Sequence, residues 1–253
     1  MKIKGRKAER YQNETGRRQK TWGTASMSLA ILLTVASLAF AGRETPTGVE
    51  PRFQITVRVY NYAGASRGTL LGAEKEGSRI FGKVGLRVAW LHCSTTNTLE
   101  QKDPGCQTPL SAIAVNMRVL PPSMAGRLNA NREEMGFALV SPRAGAASDA
   151  WVFYQRVQEA ATSGAATSAQ ILGYAMAHEI GHLLLGPNHH SHEGIMCARW
   201  NRELLEEASQ GQLKFTQDQA KVIRDEVETR AELAQQRVTG RSAPQETAAM
   251  NRK

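Results

Sequence analysis

Hydrophobic and polar residues alternate in FQITVRVYNY (53–62). Ile55, Val57 and Val59 fall on one face, and Thr56, Arg58 and Tyr60 on the other, which predicts a half-buried strand. The pattern then changes period. Over 69–85, Leu70, Ala73, Ile80 and Val84 recur at helical spacing, and Gly85 marks a stop. LRVAWLHC (86–93) reads again as a strand. A strand, a helix and a strand at this spacing predict a βαβ unit with parallel neighbouring strands. A third strand is expected over 112–121, closed by Pro121-Pro122, and a short fourth over 135–141. AWVFYQRV (150–157) reads as a strand or as a strand running into a helix. The stretches between are rich in Gly, Ala, Ser and Asn and are expected to be loops.

The next segment is apolar almost throughout. TSAQILGYAMAHEIGHLLLG (167–186) opens on Thr167-x-x-Gln170, a capping box, and ends at Gly186-Pro187, where a helix should stop. A helix apolar on all sides belongs in the middle of a domain. A second capping box, Thr216-x-x-Gln219, opens a terminal helix whose apolar face carries Val222, Ile223 and Val227. Together these elements predict one α/β (α+β) domain over 53–236, with a mixed twisted sheet, a central helix and a small C-terminal part closed by the last helix. No internal repeat is visible. Residues 237–253 are polar and are expected to be a disordered tail.

Composition changes the picture at the N-terminus. Residues 1–41 run from eight Lys/Arg, against two Glu, through an apolar stretch to Ala39-Phe40-Ala41, the order of a secretory signal peptide. The alternative is an uncleaved N-terminal anchor. Residues 42–52 read as a linker. The chain's formal charge is +9, and setting the leader aside leaves +3, so the basicity is no argument for nucleic acid. Secretion, to the periplasm or the exterior, would place the three cysteines in an oxidising compartment. Cys93 and Cys106 flank a polar loop that a disulfide could close, and Cys197 is expected to be a small buried core residue.

Five of the six histidines lie in HEIGHLLLGPNHHSHEGIM (178–196). His178 and His182 stand four apart on the central helix, so both rings project from one face and can share a metal ion. Glu179 follows the first, where its carboxylate can reach a water activated by zinc. A catalytic zinc keeps three protein ligands and an open position. In the metzincin pattern HExxHxxGxxH the third ligand would fall on Asn188 and the glycine on Leu185. The glycine arrives one residue late here, as Gly186, so the third ligand is left among His189, His190 and, less directly, His192. Met196 comes eighteen residues after His178, the separation expected of a Met-turn.

This stretch resembles the site of a group of bacterial metzincin-type, matrixin-like peptidases, which reads HE-[I/L]-GHLLLG-x-N-x-HS followed by G-[I/L]-M. Asn188 and Ser191 match that template, which makes His190 the third ligand and His189 the variable position. The resemblance is firm over 171–196 and looser over the rest of 53–230, where VYNYAG and LKFT take part. It implies one zinc ion held by His178, His182 and His190, with Glu179 as general base and Met196 as the floor of the site. The implied activity is that of a secreted zinc endopeptidase acting on a peptide or protein; a monomer is expected, with no nucleic-acid partner and a membrane only if the leader is kept.

Two alternatives remain at the level of sequence. A gluzincin-type site would take its third ligand from Glu203, Glu206 or Glu207, although these also read as the solvated face of a helix. A zinc-stabilised binding protein would use the same histidines without turnover, but Glu179 has no role in it. Tyr174, four residues before His178, is expected to pack rather than to donate to an oxyanion. Either GFALVS or AWVFYQ could be the edge strand to which an extended substrate adds.

Overall fold

The computed structural model describes residues 53–96, 104–107, 113–128, 134–139, 148–186 and 189–239. The leader (1–41), the linker (42–52) and the tail beyond 239 lie outside them. In chain order the elements are β1 (Phe53–Asn61), α1 (Arg67–Val84), β2 (Leu86–Cys93), α2 (Pro104–Gln107), β3 (Ala114–Leu120) and α3 (Pro122–Arg127). They continue with β4 (Gly136–Leu139), β5 (Ser148–Phe153), α4 (Tyr154–Ala161), α5 (Ser168–Leu185), α6 (Arg202–Ser209) and α7 (Gln217–Val238).

The five strands form one mixed sheet in the order β2-β1-β3-β5-β4. β1 pairs in parallel with β2 and with β3, and β3 in parallel with β5; β4 alone runs antiparallel, against β5. The βαβ unit expected from the first three elements is therefore present, with α1 as its crossover. Of the two candidate edge strands, β5 is interior and β4 forms the edge. The segment 150–157 resolves into the end of β5 and the start of α4, because Phe153 already has the extended backbone of an N-cap. The short helices α2 and α3 occupy stretches whose composition reads as loop. α7 continues through Val238, slightly beyond the expected boundary at 236.

α1 and α5 pack against one face of the sheet. Ile55, Val57 and Val59 of β1, Val115, Met117 and Val119 of β3, and Ala150 and Val152 of β5 point into that core. Thirteen of the eighteen residues of α5 are buried, so this helix is an interior element and its all-apolar character needs no amphipathic explanation. A fully buried Leu172 or Ile180 contributes about 2 kcal/mol over an exposed one. The opposite sheet face carries a cross-strand row in register: Tyr60, Arg118, Trp151 and Phe137. Arg118 lies over the Tyr60 ring at 5.6 Å and the Trp151 ring at 5.3 Å, and it is ion-paired with Asp149.

α7 packs on α5 and reaches α1 and β1. Arg79 of α1 ties the layers together, pairing with Glu76 and donating to the Tyr174 hydroxyl of α5 at 2.6 Å and to the Gly211 carbonyl at 2.9 Å. Tyr174 is fully buried and also donates to the Leu213 carbonyl, at 3.4 Å. Burial raises its phenol above the usual range. Its hydroxyl is thus committed to structure. Cys93 and Cys106 are joined in a disulfide that holds α2 to the end of β2. Cys197 is buried and unbridged. Among the described residues, no helix is long and apolar enough to cross a membrane.

Candidate metal centre

α5 begins at a complete capping box, in which Thr167 accepts from the Gln170 amide and Gln170 reaches back to the Thr167 amide. Its register sends His178 and His182 to the same face one turn apart. His178 Nδ1 donates to the carbonyl of Ile195 at 2.7 Å. That bond selects the tautomer and leaves Nε2 with its lone pair, as a metal ligand requires. His178 Nε2 and His182 Nε2 are 3.0 Å apart.

Beyond Leu185 the chain leaves the helix at Gly186, with φ 95° and ψ 172°. That region of backbone space is essentially confined to glycine. The reversal brings His190 back, and its Nε2 lies 3.1 Å from His182 Nε2. His178, His182 and His190 form the one group of three His, Cys, Asp or Glu side chains with converging donor atoms among the described residues. His189 goes elsewhere: its Nδ1 bonds to the Gly186 carbonyl at 3.2 Å. His192 is exposed and lines a separate cleft of about 400 Å³ with Glu203 and Glu207, while Glu206 pairs with Arg202 at 2.8 Å. None of the three glutamates joins the histidines.

The segment after the histidines organises them. The Ile195 carbonyl receives His178, and the Met196 carbonyl receives the Ser191 amide at 2.9 Å, directly after His190. Met196 is fully buried, with its sulfur filling the space that a side chain on Gly181, beside His182, would take. It therefore lies under the helix turn that bears the second histidine. Trp200 packs edge-on against both His178 and Tyr174.

Glu179 points from α5 towards the sheet edge. It is 4% exposed, and Oε2 has no hydrogen-bond partner. The carboxylate lies against Gly136 of β4, where a Cβ would stand 2.7 Å from Oε1. Burial raises its pKa to about 8, and the charge of Glu134 adds to the effect. His178 and His182 are both pushed down to about 4, chiefly by burial, so their rings are neutral near pH 7. Gly136, Trp200 and Gln219, which bonds to Ser191, are not legible as site residues in the sequence, because each acts only through contacts made across the fold.

This donor set fits zinc. Tetrahedral coordination at about 2.0–2.1 Å places ligand nitrogens roughly 3.4 Å apart, close to the 3.0 and 3.1 Å found here. The orphaned buried oxygen of Glu179 also calls for a polar partner.

No family model matches the chain, and no curated protein matches it. Solved structures give distant likenesses, among them two. Archaemetzincin from Methanopyrus kandleri has a TM-score of 0.43 at 10% identity, covering 69% of this chain and 96% of its own. A Thermotoga maritima protein solved in solution has a TM-score of 0.31 at 15% identity, covering 75% of this chain and 98% of its own. At such distance neither assigns chemistry to this chain.

Proposed function

We propose that the protein is a zinc-dependent, metzincin-type endopeptidase. His178, His182 and His190 would hold the metal and Glu179 would serve as general base. The observation that carries this reading is the convergence of three imidazole nitrogens from two elements beside a buried, unpartnered carboxylate. A purely structural site has no use for that carboxylate.

A zinc ion bound by these residues would act as a Lewis acid on water and on the scissile carbonyl. Glu179 takes the proton from the attacking water at a carboxylate oxygen and delivers it to the departing amide nitrogen. The ionised form of Glu179 that this exchange needs would be favoured beside a bound zinc ion, against the burial that raises its proton affinity. The Ile195 carbonyl holds His178 in its binding tautomer throughout. A substrate would lie extended along β4, the sheet edge next to Glu179, adding a strand through backbone hydrogen bonds. We further propose that the enzyme works outside the cytoplasm as a monomer. The leader-like N-terminus and the Cys93–Cys106 disulfide support export.

The test is Glu179→Gln in the purified, zinc-loaded protein, with hydrolysis of a quenched-fluorescent peptide library and zinc content measured together. The variant is expected to keep one zinc per chain and to lose peptide hydrolysis by at least about a hundredfold. Full hydrolysis by the variant would rule out Glu179 as the base.

A further inference from the structure

Gln219 stands at the third position of the α7 capping box and uses both ends of its amide. Its Oε1 accepts the Thr216 backbone N–H at 3.0 Å, while the Gln219 backbone N–H donates to Thr216 Oγ1 at 3.3 Å. Its Nε2 donates to Ser191 Oγ at 3.2 Å, across twenty-eight residues of sequence. Ser191 Oγ in turn donates to the Glu193 carbonyl at 2.7 Å, and the Ser191 amide to the Met196 carbonyl. Capping a helix needs the oxygen alone, and glutamate would do it equally well. The amide nitrogen serves only the loop.

That loop carries the third histidine. His178 and His182 are held by a buried helix, whereas His190 is exposed and follows an abrupt turn. An imidazole on a loop must be ordered before it can bind, and partners behind a ligand supply that order. We propose that Gln219 is a positioning residue for the metal centre: through Ser191 it lets the N-terminus of the last helix hold His190 in place. The docking of α7 then sets metal affinity although α7 contributes no ligand. This rests on the zinc reading above.

Zinc affinity, measured on the full chain by competition with a chromogenic chelator, tests it without reference to activity. The variants are Ser191→Ala, Gln219→Glu, Thr216→Ala and His190→Ala, each with the melting temperature of its metal-free form. Gln219→Glu keeps the capping acceptor but cannot donate to Ser191, whose hydrogen is already given to Glu193. Ser191→Ala and Gln219→Glu are expected to weaken zinc about 10–100-fold. Thr216→Ala should lower the melting temperature and leave zinc affinity within about threefold of wild type. Ser191→Ala leaves both Thr216–Gln219 cap bonds in place, so it carries the test by itself if Gln219→Glu does not fold. If Ser191→Ala, or a folded Gln219→Glu, binds zinc like wild type while His190→Ala does not, the clamp is overturned and the triad stands. If Thr216→Ala weakens zinc as much as Gln219→Glu, general loosening of α7 replaces the clamp. If His190→Ala binds like wild type, both readings fall.

Discussion

Replacing Glu179 by Gln preserves the shape of the side chain and removes its charge, which makes the metal-free protein a direct probe of the buried carboxylate. The group is 4% exposed, and its pKa rises from 4.5 to about 8. Between those values the folded state holds a proton that the unfolded state has released. The contribution of Glu179 to stability is therefore complete below about pH 4.5, declines as pH rises, and is fully lost above about pH 8. At about 1.36 kcal/mol per pH unit the total loss is at most about 5 kcal/mol, of which about 3 is reached by pH 7. Glutamine does not titrate and escapes this loss. Its amide adds only an offset independent of pH.

Urea unfolding in the presence of a chelator, at intervals from pH 5 to pH 9, measures the difference. The two proteins are expected to differ least at pH 5, with Glu179→Gln gaining progressively to pH 8 and then running parallel. For a domain of this size a gain of 2–5 kcal/mol corresponds to roughly 5–15 °C in melting temperature. Saturating zinc should shrink the gap, because a nearby cation favours the ionised carboxylate. A gap that stays constant with pH would show that the carboxylate is solvated, and the argument from burial would fail.

Other substitutions bear on separate parts of the site. His190→Ala is expected to lower zinc affinity by more than about a hundredfold and His189→Ala to leave it nearly unchanged, since only His190 reaches the other two rings. Isothermal titration would show the contrast, and equal losses would contradict it. Gly181→Ala places a Cβ 2.6 Å from the Met196 sulfur and 3.0 Å from Phe215, so it should cost about 1–3 kcal/mol in denaturant unfolding. Removing the Cys93–Cys106 bridge by a double serine substitution frees a loop of sequence separation 13. It should cost about 3 kcal/mol of stability while sparing zinc binding, because the loop closes at the far sheet edge.

Several features could be read directly from the chain. The alternation in β1, the capping boxes of α5 and α7, and the four-residue spacing of His178 and His182 are all consequences of local backbone geometry. Such features are set by neighbours within a few positions, so the order of residues expresses them. The parallel pairing of β1 with β2 followed for the same reason, because one crossover helix separates them.

What the fold decided is non-local. His189 and His190 are adjacent and chemically identical, and spacing alone left both open; only the resemblance at Asn188 and Ser191 pointed to His190. In the fold, the reversal at Gly186 and the bonds from Ser191 to Met196 and Gln219 accompany a placement in which His190 meets His182 and His189 stays on the turn. β4 rather than β5 became the sheet edge because β5 pairs on both sides, with β3 and with β4. Glu179 acquired its raised proton affinity only when α5 was buried against that edge. The sequence by itself determined which residues could ligate and which could carry a proton. Packing across the domain determined which of them meet, because the contacts that settle it join positions far apart along the chain.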